Sequence, residues 1–203
     1  MTVVVGIDSS LTCSGCARVD LGVGADGQLE AVRRETWRAL APQPDESNVR
    51  SERRRIRVML REILALVPDF VDLSVIEGPA PAAGFSGKAD ERAGLRWMLI
   101  DQLLVRGPVA VVTPGTRAVL ATGRGLRRRK NESARAAKAN VLEMVRAQFP
   151  DAHVPNHDVA DAVALAAAGA HALGMPLPYT DAQITAHGKV LWPEEAGSPA
   201  GER

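Results

Sequence analysis

The chain predicts an α/β fold, a mixed five-stranded sheet with helices on both faces. Two observations predict it: three strand-like segments open the sequence around a Gly-rich turn, and helical and strand patterns then alternate. The run VVVGID is β-branched and ends in an acid, the mark of a buried central strand. SGCARVDL reads as a second strand, LGVGADGQ as the hairpin turn, and QLEAVRRETWRA as a third strand, which together make an antiparallel meander.

Pro42 and Pro44 break the chain, after which Asp45 or Ser47 is placed to cap a helix running to about Val67. Its apolar stripe is Ile56, Leu60, Ile63, Leu64 and Val67. The opposite face, with Arg50, Arg53, Arg54, Arg55, Arg57 and Arg61 among acids, reads as a solvated face in preference to a DNA contact. DLSVIEGP is a fourth strand, and the Pro/Gly-rich loop 78–87 cannot be helical. A helix follows over 89–105, and VAVVTP is a fifth strand stopped by Pro114. A basic loop over 123–130 leads to a helix over 132–148, and the last helix starts near Asp158 and runs through VADAVALAAAGAHAL. From Met175 onward four prolines suggest a tail with little core of its own. The expected organisation is one domain over 1–174 and a Pro-containing C-terminal tail over 175–203.

Composition narrows the classes of function. With 46% hydrophobic and 24% charged residues the chain reads as globular. No stretch nears the roughly 18 to 20 apolar residues that span a bilayer, and MTVVVGIDSS lacks the basic start of a secretory signal, so a cytoplasmic protein without membrane contact is expected. Cys13 and Cys16 lie three apart on a strand and so face opposite ways, which favours two packed thiols over a metal or redox pair. The net charge of +1 hides segregation: residues 117–146 carry nine Lys or Arg against two Glu, a local +7, which leaves −6 for the rest. A concentrated basic surface beside acids suits phosphodiester chemistry, in which cations neutralise the backbone.

Asp8 and Glu77 each end a strand, while Asp158 and Asp161 share one face at the start of a helix. Gathered together, four carboxylates would repel one another unless a cation lay between them. All-oxygen ligands select a hard ion, Mg2+ with Mn2+ as substitute. Two such ions about 4 Å apart would generate the attacking hydroxide and stabilise the leaving oxygen of an in-line displacement.

GIDSSLTCSG, VIEGP and HDVADAVALA, in that order over residues 3 to about 173, resemble the RuvC-type Holliday junction resolvases, as a bacterial or phage-encoded member. The resemblance implies a ribonuclease-H-like fold and a metal-dependent nuclease that resolves four-way DNA junctions. It implies that Asp8, Glu77, Asp158 and Asp161 hold the metals, and that Lys138 lies near the scissile phosphate. It further makes Arg117, Arg124, Arg127, Arg128, Arg129 and Lys130 candidate phosphate contacts, and Phe85 a candidate for stacking on an unpaired base. The loop GPAPAAGFSGK departs from the family in length and Pro content, which weakens junction recognition more than chemistry. Cutting opposite strands of a two-fold symmetric junction implies a homodimer. The helix over 89–105, through Leu95, Met98, Leu99, Leu103 and Leu104, is the expected interface.

His157, beside Asp158, is either a capping or solvent-facing residue or a second-tier aid to the metals or to proton transfer. His153, His171 and His187 show no ligand spacing, and Trp37, Trp97 and Trp192 read as core or interface anchors. Three other functions compete. A related nuclease would act on flaps or RNA/DNA hybrids. A binding protein that had lost catalysis would have no reason to keep four uncompensated acids. An actin-like-superfamily small-molecule kinase shares the opening strand–Asp–turn, but needs two related halves that 203 residues do not accommodate.

Overall fold

Alternation along the first strand, β1 (Thr2–Asp8), sends Val3, Val5 and Ile7 to one face of the sheet and Val4 and Gly6 to the other. The structure is a computed structural model that describes residues 1–43, 46, 48–79, 88–124 and 134–194, with the main chain alone at 134, 135, 137 and 138. β1 pairs antiparallel with β2 (Cys13–Val23), which pairs antiparallel with β3 (Leu29–Leu40). On its other side β1 runs parallel to β4 (Leu73–Glu77), and β4 to β5 (Val109–Val112), giving the order β3-β2-β1-β4-β5. The β2–β3 turn holds Gly27 at φ 79°, a left-handed conformation that suits glycine.

One face of the sheet is covered by α1 (Val49–Leu64) and α2 (Ala89–Leu104), whose Met59, Ile63, Leu95, Leu99 and Leu103 are fully buried against Val3, Val5 and Ile7. The other face is covered by α5 (His157–Ala172), backed by α4 (Ala134–Gln148) through Val145. Crossovers through helices make β1, β4 and β5 parallel and bring their carboxyl ends to one edge.

Four expectations need correction. The cap of α1 is Asn48, whose side chain accepts from the Ser51 N–H, and the helix ends at Leu64. Arg55 is not on a solvated face: it is buried and its Nε donates to the Leu11 carbonyl at 2.8 Å. Leu95, Leu99 and Leu103 belong to the core and cannot form a subunit interface, whereas Trp97, Met98 and Leu104 are exposed. Pro114 does not only stop β5: it opens a helix that the sequence reading missed, α3 (Pro114–Thr122), capped by Thr113 and closed by Gly123 at φ 68°. The segment after Met175 also carries more order than expected. Met175, Ala186 and Val190 are buried, and α6 (Asp181–His187) starts in a capping box between Thr180 and Gln183. Among the described residues no helix is long and apolar enough to cross a membrane.

Candidate active site

The parallel register sets Ile7 opposite Ile76, so the next residues, Asp8 and Glu77, leave the sheet side by side although 69 positions separate them. By alternation both point to the face that α5 covers. That helix comes unusually close because side-chain volume is missing beneath it. A Cβ on Gly6 would fall 2.2 Å from the Ala162 carbonyl oxygen, and one on Gly15 2.0 Å from the Asp158 carbonyl oxygen. Both distances lie well inside van der Waals contact, so the sheet accepts only glycine there. The helix contributes small residues in turn, with Ala160, Ala162, Ala164 and Ala166 all buried. Asn156 fixes where it starts, its side chain accepting from the Val159 N–H at 3.0 Å. The first turns of α5 thus arrive at the end of β1 carrying Asp158 and Asp161.

Arg117 of α3 joins the acids. Its Nη1 donates to Asp161 Oδ1 at 2.5 Å and its Nη2 to Glu77 Oε1 at 3.1 Å, with the side chain only 13% exposed. Burial, followed by the hydrogen bond and charge of Glu77 and the charge of Asp161, pushes the Asp8 carboxyl well above the usual range, while Arg117 acts to lower it. Burial opposes the charge on Arg117, but Asp161, Glu77 and Asp8 more than offset it and hold the guanidinium protonated. Sequence reasoning set Arg117 against phosphate. The structure turns it toward two of the expected metal ligands.

Asp158 keeps different company. His157 Nε2 lies 3.2 Å from its Oδ1 and Asn156 Nδ2 3.5 Å from its Oδ2. The Cys13 thiol is also adjacent: burial first, then a hydrogen bond to Asp158, raises its proton affinity. Cys16 is buried on the other face, as the strand spacing required, and both thiols are free. Cys13 was not legible as a site neighbour, because nothing in a strand pattern says which helix will lie across it.

As the side chains stand, no group of three His, Cys, Asp or Glu among the described residues is arranged to hold an ion. The guanidinium lies between Glu77 and Asp161 instead. The donor set still fits a hard cation: two carboxylates at the carboxyl ends of parallel strands and a third from α5, all oxygen. An ion and Arg117 would compete for the same oxygens.

Other expected residues are placed less fully. Arg124 is exposed just beyond α3. Position 138 lies in α4, but the Lys138 side chain, like Phe85 and the run Arg127, Arg128, Arg129 and Lys130, lies outside the described residues. His171 and His187 pack edge-on with ring centroids 4.8 Å apart, and Trp192 stacks beside His187 at 4.7 Å.

No protein-family model matches the chain and no curated sequence is similar to it. Among solved structures, Thermus thermophilus RuvC is similar with a TM-score of 0.55 at 18% identity, over 93% of this chain and 98% of that one. The same protein in complex with a Holliday junction substrate gives a TM-score of 0.49 at 23% identity, over 85% and 93% of the two chains. The Fowlpox virus resolvase with Holliday junction DNA gives 0.46 at 12% identity, over 85% and 99%. The first of these likenesses establishes the fold as the ribonuclease-H-like α/β fold of RuvC.

Proposed function

We propose that this chain is a metal-dependent endodeoxyribonuclease that resolves four-way DNA junctions by paired phosphodiester hydrolysis. The observation that carries the reading is the convergence of Asp8, Glu77 and Asp161, from three distant segments, on one edge of a RuvC-like sheet. Structural relatives include a protein whose solved complex holds a Holliday junction substrate.

Asp8, Glu77 and Asp161 would hold the ions, with Asp158 as the fourth ligand. Two ions of Mg2+ or Mn2+ held there would supply an activated water and charge stabilisation of the leaving oxygen. The residues of the chain do the rest. Gly6 and Gly15 let α5 approach, Arg117 balances the acids when no ion is bound, and His157 stands 3.2 Å from Asp158 in reach of a proton. Lys138, Arg124, Arg127, Arg128, Arg129 and Lys130 belong to the same reading as phosphate contacts, and Phe85 as a base-stacking residue. A homodimer is part of it, with Trp97, Met98 and Leu104 as the exposed apolar residues of α2 to be covered.

The test is cleavage of a synthetic four-way junction, a flap, an RNA/DNA hybrid and plain duplex, each with Mg2+, Mn2+ or chelator. Symmetrical nicks in the junction alone, lost in chelator, are expected. Cutting of the hybrid or flap instead would reassign the substrate, and cutting in chelator would overturn the metal reading. Light scattering should give twice the mass of one chain.

A further inference from the structure

Positive charge near the acids is not confined to residues 117–146. A groove of about 650 Å³ opens at the end of β4, between the turn that follows β1 and the N-terminal half of α2. Its lining among the described residues includes four cations, Arg55, Lys88, Arg92 and Arg96, and one acid, Glu77. Glu52 contacts both Lys88 and Arg55, so among the described residues, with both acids counted, the excess is still two positive charges. Glu77 is already engaged by Arg117.

Arg92 and Arg96 are four residues apart in α2 and so share one helix face, while Lys88, the left-handed N-cap residue just before the helix, lines the same groove. From Lys88 to Arg96 the helix advances about 12 Å at ~1.5 Å per residue. A row of that length can meet more than one phosphate of a strand whose charges recur every ~3.4 Å along the duplex axis. The floor beside this row is held by a buried side chain. Arg55 is buried, and its Nε ties down the Leu11 carbonyl three residues after Asp8. A polyanion lying along the row would therefore run directly past Glu77.

We propose that Lys88, Arg92 and Arg96 form a phosphate-binding ridge that seats the sugar–phosphate backbone of the nucleic acid on the α2 side of the acids. In the sequence the ridge lies outside the basic segment 117–146. This deepens the nuclease reading and rests on it.

The experiment compares binding of a fluorescent four-way junction and a duplex in chelator, across a salt series, for the wild type and two double variants. Arg92→Gln/Arg96→Gln removes two charges from the ridge. Arg57→Gln/Arg61→Gln removes two exposed charges of α1 that do not line this groove. Thermal melts confirm that each variant is folded. The ridge variant should lose about tenfold in affinity near 0.1 M salt, with its log–log salt slope falling by about 2, while the α1 variant keeps the wild-type slope. Equal losses in both variants, or an unchanged slope in the ridge variant, would overturn the ridge and leave the nuclease reading standing. A wild type that binds neither DNA would overturn both.

Discussion

Asp158 and Asp161 lie one turn apart at the start of the same helix, yet they are held in opposite ways. Asp161 is buried and clamped by a guanidinium that also grips Glu77, whereas Asp158 is half-buried among His157, Asn156 and the Cys13 thiol. Helical spacing put both carboxylates on one face. What separates them is the neighbouring chain: α3 meets the second acid, and the start of β2 meets the first. The acids with a shared counter-charge form the electrostatic centre, and Asp158 is attached to its rim.

Neutralising one acid from each group has the largest expected effect. Asp8→Asn should cut activity by more than about 100-fold, since even the outer partners of metal ligands are worth 10- to 100-fold. DNA binding should survive, because the basic surfaces are untouched. Asp158→Asn should cost less. Turnover of a labelled junction in Mg2+ measures both, and undiminished cutting by Asp8→Asn would end the assignment.

Next in size is the packing that brings α5 down. Gly6→Ala and Gly15→Ala each place a methyl about 2 Å from a helix carbonyl oxygen, and neither backbone can yield without moving the helix. A stability loss of about 1–3 kcal/mol is expected, as for overpacked cores. Gly15→Ala should also weaken Mn2+ binding, because the carbonyl it strikes is that of Asp158. Urea midpoints equal to wild type would show that the approach is not so close.

The four acids were legible because each sits where a pattern ends: an apolar run stops at Asp8 and at Glu77, and an Ala-rich helix begins at Asp158 and Asp161. The sheet and its main helices were legible for the same reason. Arg117 entered as a phosphate contact through the family resemblance, and its pairing with Glu77 and Asp161 was not legible because a linear pattern does not say which way one helix face turns. The helix that carries it was missed, although Thr113 and Pro114 form an N-cap and first-turn proline that mark a helix start. A similar signal, Thr180 with Gln183 three residues on, marked α6 inside a segment read only for its prolines. The role of the ridge on α2 required knowing that α2 flanks the end of β4, which no local pattern encodes.

Removing the counter-charge gives a smaller effect of informative sign. Arg117→Gln deletes the cation between Glu77 and Asp161, so the acids should bind Mn2+ at least about fivefold more tightly, the lower end of what one unit charge ~4 Å away is worth. In chelator the same variant should melt below wild type and recover when Mn2+ is added. Calorimetric titration decides it: weaker Mn2+ binding would make Arg117 a support for the ion and not its competitor.

The smallest expected effect lies far from the acids, where α6 closes on the end of α5. Burial, and then the nearby His171, lower the pKa of His187, while the bond from its Nε2 to the Ala168 carbonyl works the other way. The rings of His171, Tyr179 and Trp192 surround it. Because the folded value is below the unfolded one of about 6.5, the unfolded chain binds more protons between them, so stability must fall as pH drops below that point. Comparing urea midpoints at pH 7.5 and 5.5, His187→Phe should show a smaller drop than wild type, since it keeps a ring and removes the titration. A drop of equal size would mean that the closure of α6 is indifferent to the protonation of His187.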